Sequence, residues 1–265
     1  MASVAGAGMA AAAGGTDPAA APIRVGVAGY RGKVGAEMVR GVEAAPDMEF
    51  VGGVEIGDAL GAFLISARPD ALIDFTHPSA ALGNALAAAA AGCRPVVGTT
   101  GIPTEGIDRL ESACREAGIG GIAAPNFSVG AVVMMHIAEI AAPYFAAAEV
   151  IELHHQTKAD APSGTALATA RRLAARNKFQ YSETEKITLD GVRGGEEGGV
   201  GVHSVRLPGL VADQEILFGL AGQTLTITHR TTSREAFVPG VLLAVRRVVA
   251  EPRFYRALDE LLGLG

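Results

Sequence analysis

The sequence is short of the residues that would place it in several large classes of protein. It has no tryptophan and two cysteines, and only 19% of its 265 residues are charged. Cys93 and Cys114 have no C-x-x-C spacing, which argues against a disulfide framework and favours reduced, buried thiols. A net charge of -6 without a Lys/Arg-rich run argues against a nucleic-acid partner. No apolar run is long enough to cross a membrane, so we expect a soluble protein.

Residues 1–22 are almost entirely alanine, glycine and small polar residues, and we expect them to form a disordered tail. No Lys or Arg precedes Arg24, so the positively charged start of a signal peptide is missing and the protein is predicted to be cytoplasmic. Met9 offers an alternative start. The length and the 49% hydrophobic content predict a large core and two domains.

Glycine, by contrast, is abundant, with 35 residues. A buried-strand pattern over Ile23–Ala28 leads into a turn with G-x-x-G-x-x-G spacing, and a helical pattern follows from Ala36. This order directs a pyrophosphate to the start of a helix. The predicted cofactor contacts in the turn are Gly29, Tyr30, Arg31, Gly32, Lys33 and Val34. A simple structural turn is the alternative for a glycine-rich chain.

Glu55 follows a second predicted strand, Met48–Val54, at the position where an acid can accept hydrogen bonds from an adenosine ribose. The alternative is a solvated loop carboxylate. Glu55 is followed by Ile56 rather than by Arg, so repulsion of a 2'-phosphate by about 1 to 4 kcal/mol predicts a preference for NADH. Some use of NADPH is expected through Arg31 or Lys33.

Three further strand patterns end in polar, turn-forming residues, and helical patterns separate them. These strand patterns are Ala71–Phe75, Pro95–Val97 and Gly120–Ala124. This alternation predicts an α/β fold with a Rossmann-like, doubly wound parallel sheet. Ligands of such sheets bind at the carboxyl ends of the strands. The residues predicted to line a cofactor cleft there are Thr76, His77, Gly98, Thr99, Thr100, Ala124, Pro125, Asn126 and Phe127.

The segment Glu152–Thr165 holds two histidines, a lysine and a Ser-Gly-Thr sequence at a predicted helix start. His exchanges protons near neutral pH, and Lys and helix N-termini hold anions. The segment therefore predicts a proton donor beside a carboxylate or phosphate site, with a helix cap and a solvated basic loop as the alternative. A strand ending at the histidines would point His154 and His155 apart, so no metal is expected.

Later strand patterns, at His203–Leu207, Gln214–Leu220 and Thr224–His229, predict a smaller α+β domain with an open mixed sheet that also contains the His154 strand. A helical pattern over Ala236–Val249 returns to the first domain. The predicted domains are 23–127 with 236–265, and 128–235. A broad apolar sheet of this kind favours a homo-oligomer.

From Ile23 to the C-terminus the chain resembles the bacterial dihydrodipicolinate reductase family, also called 4-hydroxy-tetrahydrodipicolinate reductase, and its actinobacterial form most strongly. The resemblance is carried by the glycine turn, Asp74–Pro78, Gly98–Gly101, Ala124–Phe127 and the His154–Thr165 segment. It implies reduction of a cyclic imine dicarboxylate by NADH or NADPH in diaminopimelate and lysine biosynthesis. It also implies a homotetramer formed through the sheet of the second, substrate-binding domain.

The resemblance implies a role for each residue of the segment. His154 matches the acid/base residue that protonates the substrate, and Lys158 matches an assisting proton donor that holds a carboxylate. His155 matches a substrate contact. Gly164 and Thr165, with Ser163 at the same helix start, match the second carboxylate site.

Two alternatives to this function are an NAD-sensing protein without catalytic activity and another NAD(P)-dependent dehydrogenase of the aspartate pathway. The first gives no reason for His154, His155 and Lys158. An aspartate-semialdehyde type of dehydrogenase needs a cysteine nucleophile, and neither Cys93 nor Cys114 is placed as one by the sequence.

Overall fold

The structure is a computed structural model that describes residues 21–264. The chain divides into two compact units: the first ends at Val129 and resumes at Arg234, and the second is Gly130–Ser233. The predicted tail, residues 1–22, lies outside the described residues apart from its last two positions. The assignment of cofactor and substrate to separate domains stays a prediction.

The described elements follow one another in an alternating order. Those up to the unit boundary are β1 (Ile23–Ala28), α1 (Gly35–Ala44), β2 (Met48–Val54), α2 (Leu60–Ala67), β3 (Ala71–Asp74), α3 (Pro78–Ala90), β4 (Arg94–Val97), α4 (Thr104–Glu116), β5 (Gly121–Ala123) and α5 (Val129–Ala141). The second unit adds β6 (Ala147–His154), α6 (Gly164–Arg176), β7 (Gly195–Glu197), β8 (Val200–Arg206), β9 (Ala212–Leu220) and β10 (Gln223–His229). The chain ends with α7 (Val238–Ala250), β11 (Phe254–Tyr255) and α8 (Leu258–Leu262).

The sheet of the first unit has six strands in the order β11-β5-β4-β3-β1-β2, and every pairing is parallel. Its central strands are apolar throughout, and Val25, Val27 and Ile73 are fully buried. Such runs are typical of strands covered on both faces. The predicted Rossmann-like parallel sheet is confirmed. Because all strands are parallel, the segments that follow β1, β3, β4 and β5 emerge at one edge.

Most strand and helix boundaries lie within two residues of the predicted ones, but β8 begins at Val200, three residues before the predicted His203. The first-unit strands predicted to end at Phe75 and Ala124 end one residue earlier, at Asp74 and Ala123. Helix α2 was not predicted. Its sequence, LGAFLISA, is apolar on most sides, although Ile65 is 75% exposed. Without a polar face, such a segment lacks the 3.6-residue periodicity by which a surface helix is identified.

The second unit contains a mixed sheet in the order β10-β9-β6-β8-β7. Strand β6 pairs parallel with β8 and antiparallel with β9, which confirms the predicted open mixed sheet. Alternate residues of β6, including Val150, are buried. They share a core with Ile216 and Phe218 of β9, Met134 of α5 and Leu173 of α6. Strand β7 lies within residues 178–200, which are polar and glycine-rich and for which no strand was predicted.

No helix within residues 21–264 combines the length and the apolar character needed to cross a membrane.

Candidate functional site

The glycine turn between β1 and α1 is a tight structure that brings six predicted cofactor residues together. Gly29 has a φ of 77°, and the Gly32 N–H donates to the Gly29 carbonyl at 3.0 Å. A side chain at Gly35 would clash with that carbonyl oxygen. Val34, at the N-cap of α1, makes no side-chain cap, so no side chain at that position competes with a ligand for the N–H groups of the first helical turn. The Ala36 N–H already donates to the Gly32 carbonyl at 2.9 Å. The turn therefore fits a pyrophosphate.

Glu55, predicted to contact a ribose, holds the turn in place. Its Oε1 accepts from the Arg31 main-chain N–H at 2.7 Å, and its own N–H donates to Asp58 Oδ2 at 2.8 Å. The Arg31 guanidinium lies 5.0 Å from the centre of the Tyr30 ring. The carboxylate is thus fixed beside the glycine turn, where the position of Glu55 after β2 predicts contact with the adenosine ribose.

Asp74, which was not among the predicted site residues, organises the ends of β3 and β4. The side chain is 1% exposed. Its Oδ1 accepts from the Thr76 N–H at 3.0 Å, from the Thr76 hydroxyl at 2.7 Å and from the Thr99 hydroxyl at 2.8 Å. Its Oδ2 accepts from Asn84 Nδ2 of α3 at 2.9 Å. Thr76 and Thr99 are two of the predicted cofactor residues, so Asp74 fixes both.

The ends of β4 and β5 meet around a cavity of about 250 Å³. Its wall includes the predicted residues Thr99, Thr100, Ala124 and Pro125, and also Arg256, which was not predicted. Gly98 needs its small size because a side chain there would overlap the Phe75 ring.

Three predicted cofactor-cleft residues have structural partners of their own. Phe127 is 1% exposed and packs edge to face on Phe75, with ring centres 6.2 Å apart, so its side chain belongs to the core. Asn126 Oδ1 accepts from the Ser128 N–H at 2.8 Å. His77 Nδ1 accepts from the Ser79 N–H as the cap of α3.

In the second unit, β6 ends at His154, and a loop leads from His155 to Ser163 at the start of α6. Ser163 is the N-cap, and its hydroxyl accepts from the Ala166 N–H at 3.1 Å. Gly164 and Thr165 form the first turn of the helix. The predicted cap and the predicted anion site therefore share one helix start, whose N–H groups and partial positive charge suit a carboxylate.

Glu152 links the two parts of this site and was not predicted to do so. It is 0% exposed, and its Oε2 lies 2.5 Å from His154 Nδ1. Arg206 of β8 donates to both carboxylate oxygens, at 2.8 and 2.7 Å, and the Ser163 N–H donates to Oε1 at 3.2 Å. Burial alone would raise the pKa of Glu152, but the hydrogen bonds from His154, Arg206 and Ser204 lower it to about 2.

Lys158 and His155 lie on the loop between β6 and α6. Lys158 Nζ contacts Asp160 Oδ1 at 2.6 Å, and this hydrogen bond lowers the pKa of Asp160. Arg206 donates to the Asp160 carbonyl at 2.7 Å, so it fixes the same loop. His155 Nδ1 contacts the Thr157 hydroxyl at 2.9 Å. The two histidines have different partners, and no group of three metal-binding side chains was found in residues 21–264.

Both cysteines lie in hydrophobic clusters of the first unit. Cys93 is 1% exposed and Cys114 is 0% exposed. Burial raises the pKa of Cys93 to about 12 and that of Cys114 to about 11. Neither thiol has the exposed, electropositive surroundings of a nucleophile, which counts against an aldehyde dehydrogenase with a catalytic cysteine.

Comparisons with known proteins identify the family of this chain. The family models for the N-terminus and the C-terminus of dihydrodipicolinate reductase match residues 23–127 and 130–262. The 4-hydroxy-tetrahydrodipicolinate reductase of Mycolicibacterium vanbaalenii is 51% identical over 245 residues, which are 91% of this chain and 100% of the relative. That of Moorella thermoacetica is 48% identical over 249 residues, 86% of this chain and 93% of the relative.

Two solved structures are also similar to this chain. The dipicolinate-bound dihydrodipicolinate reductase of Paenisporosarcina sp. TG-14 is 37% identical, covers 90% of this chain and 99% of its own, and superposes with a TM-score of 0.81. An amine dehydrogenase of Mycobacterium smegmatis, 11% identical over 86% of this chain and 92% of its own with a TM-score of 0.59, shares the fold alone. The two family models and the closely similar relatives, actinobacterial ones included, show that this chain belongs to the dihydrodipicolinate reductase family of NAD(P)H-dependent oxidoreductases.

Proposed function

We propose that the protein reduces 4-hydroxy-tetrahydrodipicolinate to tetrahydrodipicolinate, with NADH or NADPH as the reductant, in diaminopimelate and lysine biosynthesis. The observation that carries this proposal is the arrangement at the end of β6. There Glu152 contacts His154 and the start of α6 through one carboxylate. This contact supports the proposal, in which a proton donor and a carboxylate site share one buried carboxylate, as a dicarboxylate that gains a proton would need.

The 4-hydroxyl group of the substrate leaves as water, which gives the conjugated dihydrodipicolinate ring. The coenzyme, when bound, would supply a hydride to that ring. His154 then protonates the ring carbon of the enamine that remains, and its Nε2 is the donor because Nδ1 is held by Glu152. Lys158 assists as a proton donor and holds one carboxylate after leaving Asp160. The N–H groups at Ser163, Gly164 and Thr165 hold the second carboxylate, with His155 as a further contact.

NADH is the preferred coenzyme in this proposal, and NADPH is also used. Glu55 would accept hydrogen bonds from the free 2'-hydroxyl of NADH and repel the 2'-phosphate of NADPH. Tyr30, Arg31 and Lys33 of the same turn offer cationic and aromatic surfaces to the nucleotide.

A homotetramer formed through the sheet of the second unit completes the proposal. The face of β6 that carries Ile151 and Leu153 is only half-buried, whereas the alternate residues lie in the core. Leu217 of β9 is likewise half-buried between the buried Ile216 and Phe218. Sedimentation equilibrium tests the state, and Leu217→Glu should dissociate it.

The catalytic role is tested by following NADH oxidation with the condensation product of pyruvate and aspartate semialdehyde as substrate. Loss of a positioned acid costs about 10² to 10⁴ in rate, so His154→Ala should lose that much kcat. His203→Ala is the matched control, because His203 Nε2 contacts Glu149 at 2.5 Å on the same sheet without belonging to the site. Near-normal kcat in His154→Ala would overturn the proton-donor role.

Lys158→Ala should weaken substrate binding by about 2 to 5 kcal/mol if the ion pair with the carboxylate is desolvated. Lys178→Ala, at an exposed position, is the control. Titration with pyridine-2,6-dicarboxylate separates the enzyme from an NAD-sensing protein. A reductase should bind this planar dicarboxylate through the His154–Thr165 segment, and the sensor should not.

A further inference from the structure

Glu152 is the charged residue whose burial most needs an explanation. It is 0% exposed, and ionised groups are costly to bury unless they are paired and hydrogen-bonded. Its carboxylate meets partners from three segments: His154 of its own strand, Arg206 and Ser204 of β8, and the Ser163 N–H that precedes α6. A residue needed only for packing would not require this set.

The contact with His154 determines which ring nitrogen carries the exchangeable proton. An ionised carboxylate can only accept hydrogen bonds, so at 2.5 Å Nδ1 must be the protonated nitrogen. The opposite nitrogen, Nε2, is then the one that takes up and releases a proton. This is how a carboxylate fixes the tautomer and the ring orientation of a histidine in other catalytic sites.

Arg206 keeps that carboxylate ionised. Its two terminal nitrogens contact the two oxygens of Glu152 at 2.8 and 2.7 Å, the bidentate geometry that gives the strongest charge-assisted hydrogen bonds. With the carboxylate held in this way, a proton on His154 passes to the substrate and not to Glu152. Arg206 also donates to the Asp160 carbonyl at 2.7 Å, so the pair and the Lys158 loop are joined.

We propose that Glu152, held by Arg206, is the positioning residue for His154. It keeps Nδ1 protonated, aims Nε2 at the substrate, and stabilises the charged imidazolium before proton transfer. Through the Ser163 N–H the same carboxylate sets the position of the carboxylate site relative to the proton donor. This inference rests on the proposed function, in which His154 is the proton donor.

The charged groups around Glu152 and His154 determine how the pH dependence of kcat should change when Glu152 is replaced. The cation facing Glu152 from β8 is Arg206, and the loop adds Lys158 and Asp160, which contact each other. Facing Glu152 from β9 is Gln214, which donates to Thr169 of α6 at 2.8 Å, and both are uncharged. Replacing Glu152 by Gln therefore removes the negative charge and leaves Arg206 beside His154.

The first experiment is the pH profile of kcat in Glu152→Gln. The imidazolium loses its stabilising partner and gives up its proton at lower pH. The alkaline fall in kcat should therefore move to lower pH, with kcat at its maximum reduced by about 10²-fold and the KM for NADH unchanged. Glu149→Gln is the matched control, since Glu149 lies on the same strand and pairs with His203 and Arg193 instead. It should keep the wild-type profile.

A double-mutant cycle separates positioning from a general loss of structure. If Glu152 acts through His154, then Glu152→Gln combined with His154→Ala should lose no more kcat than His154→Ala alone. Losses that multiply would overturn the inference. If His154→Ala is defective and Glu152→Gln keeps both kcat and its pH profile, the positioning role alone fails. Near-normal kcat in His154→Ala would show instead that the proposed function fails.

A measurement on the unaltered protein covers the case in which Glu152→Gln does not fold. In ¹⁵N-histidine NMR at alkaline pH, the signals that disappear in His154→Ala identify the ring. The inference requires the tautomer with the proton on Nδ1, and the proton on Nε2 would overturn it.

Discussion

Removal of the Asp74 carboxylate should weaken coenzyme binding although Asp74 itself is 1% exposed. Its oxygens accept four hydrogen bonds, from the Thr76 N–H, the Thr76 and Thr99 hydroxyls and Asn84 Nδ2. Thr76 and Thr99 are proposed to line the coenzyme site. In Asp74→Ala both would lose the acceptor that fixes their position.

The magnitude follows from the kind of hydrogen bond that is lost. Hydrogen bonds to a charged group contribute about 1.5 to 3 kcal/mol each, and hydroxyls that lose one acceptor can turn to another. Asp74→Ala should therefore lower the free energy of unfolding by about 3 to 5 kcal/mol. Asp74→Asn keeps an acceptor oxygen, and Asn84 can turn its amide to match, so its loss should be about 1 to 2 kcal/mol.

The coenzyme effect is measured separately as the Kd for NADH by calorimetry. Asp74→Ala should raise it about tenfold, which corresponds to 1.4 kcal/mol, and urea unfolding gives the stability. Asp70→Ala is the control, because Asp70 lies just before the same strand and accepts the Arg24 N–H at 2.9 Å. It should cost about 1 kcal/mol without changing the Kd. Wild-type NADH affinity in Asp74→Ala would refute the reasoning.

Three further predictions concern Glu55, the two cysteines and Glu152. Glu55→Gln should raise kcat/KM for NADPH relative to NADH about fivefold or more. Glu55 is half-exposed, and the substitution removes a repulsion of at least about 1 kcal/mol between its carboxylate and the 2'-phosphate. An unchanged ratio would rule out Glu55 as the discriminating residue. Cys93 and Cys114, with pKa values raised by burial to about 12 and about 11, should not react with a thiol reagent until the protein unfolds, and rapid labelling of the active protein would contradict their placement. Glu152 has a folded-state pKa of about 2 against an ordinary 4.5, so its contribution of about 3 kcal/mol to the free energy of unfolding is present above pH 4.5 and lost as pH falls through 2. Chemical unfolding between these pH values should therefore show a shallower pH dependence of stability in Glu152→Gln than in the wild type. Equal pH dependence in the two proteins would contradict this prediction.

The sequence predicted those features that depend on residues close together along the chain. The order of strand, glycine turn and helix at Gly29–Gly35 is local, and the structure confirms the parallel sheet that it implies. The Ser163 cap is equally local. The same holds for the position of His154 at the end of a strand, which was predicted within one residue.

The sequence could not predict contacts that depend on strand register. Arg206 lies opposite His154 only because β6 pairs with β8 in a particular register, and no local pattern fixes that pairing. Asp74 meets Thr99 and Asn84 for the same reason, through the pairing of β3 with β4 and the packing of α3. One signal was present in the sequence: Glu152 and His154 are two apart in a strand, so they share a face.

Each unit contains a buried carboxylate on a strand, Asp74 in the first and Glu152 in the second. A carboxylate on the buried face of an apolar strand is costly, and it is retained where a site must be held rigidly. Asp74 is satisfied by neutral donors and holds groups that need only a fixed position. Glu152 is hydrogen-bonded by Arg206 and His154, so in the proposal its charge stabilises the protonated form of His154. An amide should therefore replace Asp74 with little loss of function, whereas at position 152 it keeps the shape but removes the charge on which His154 depends.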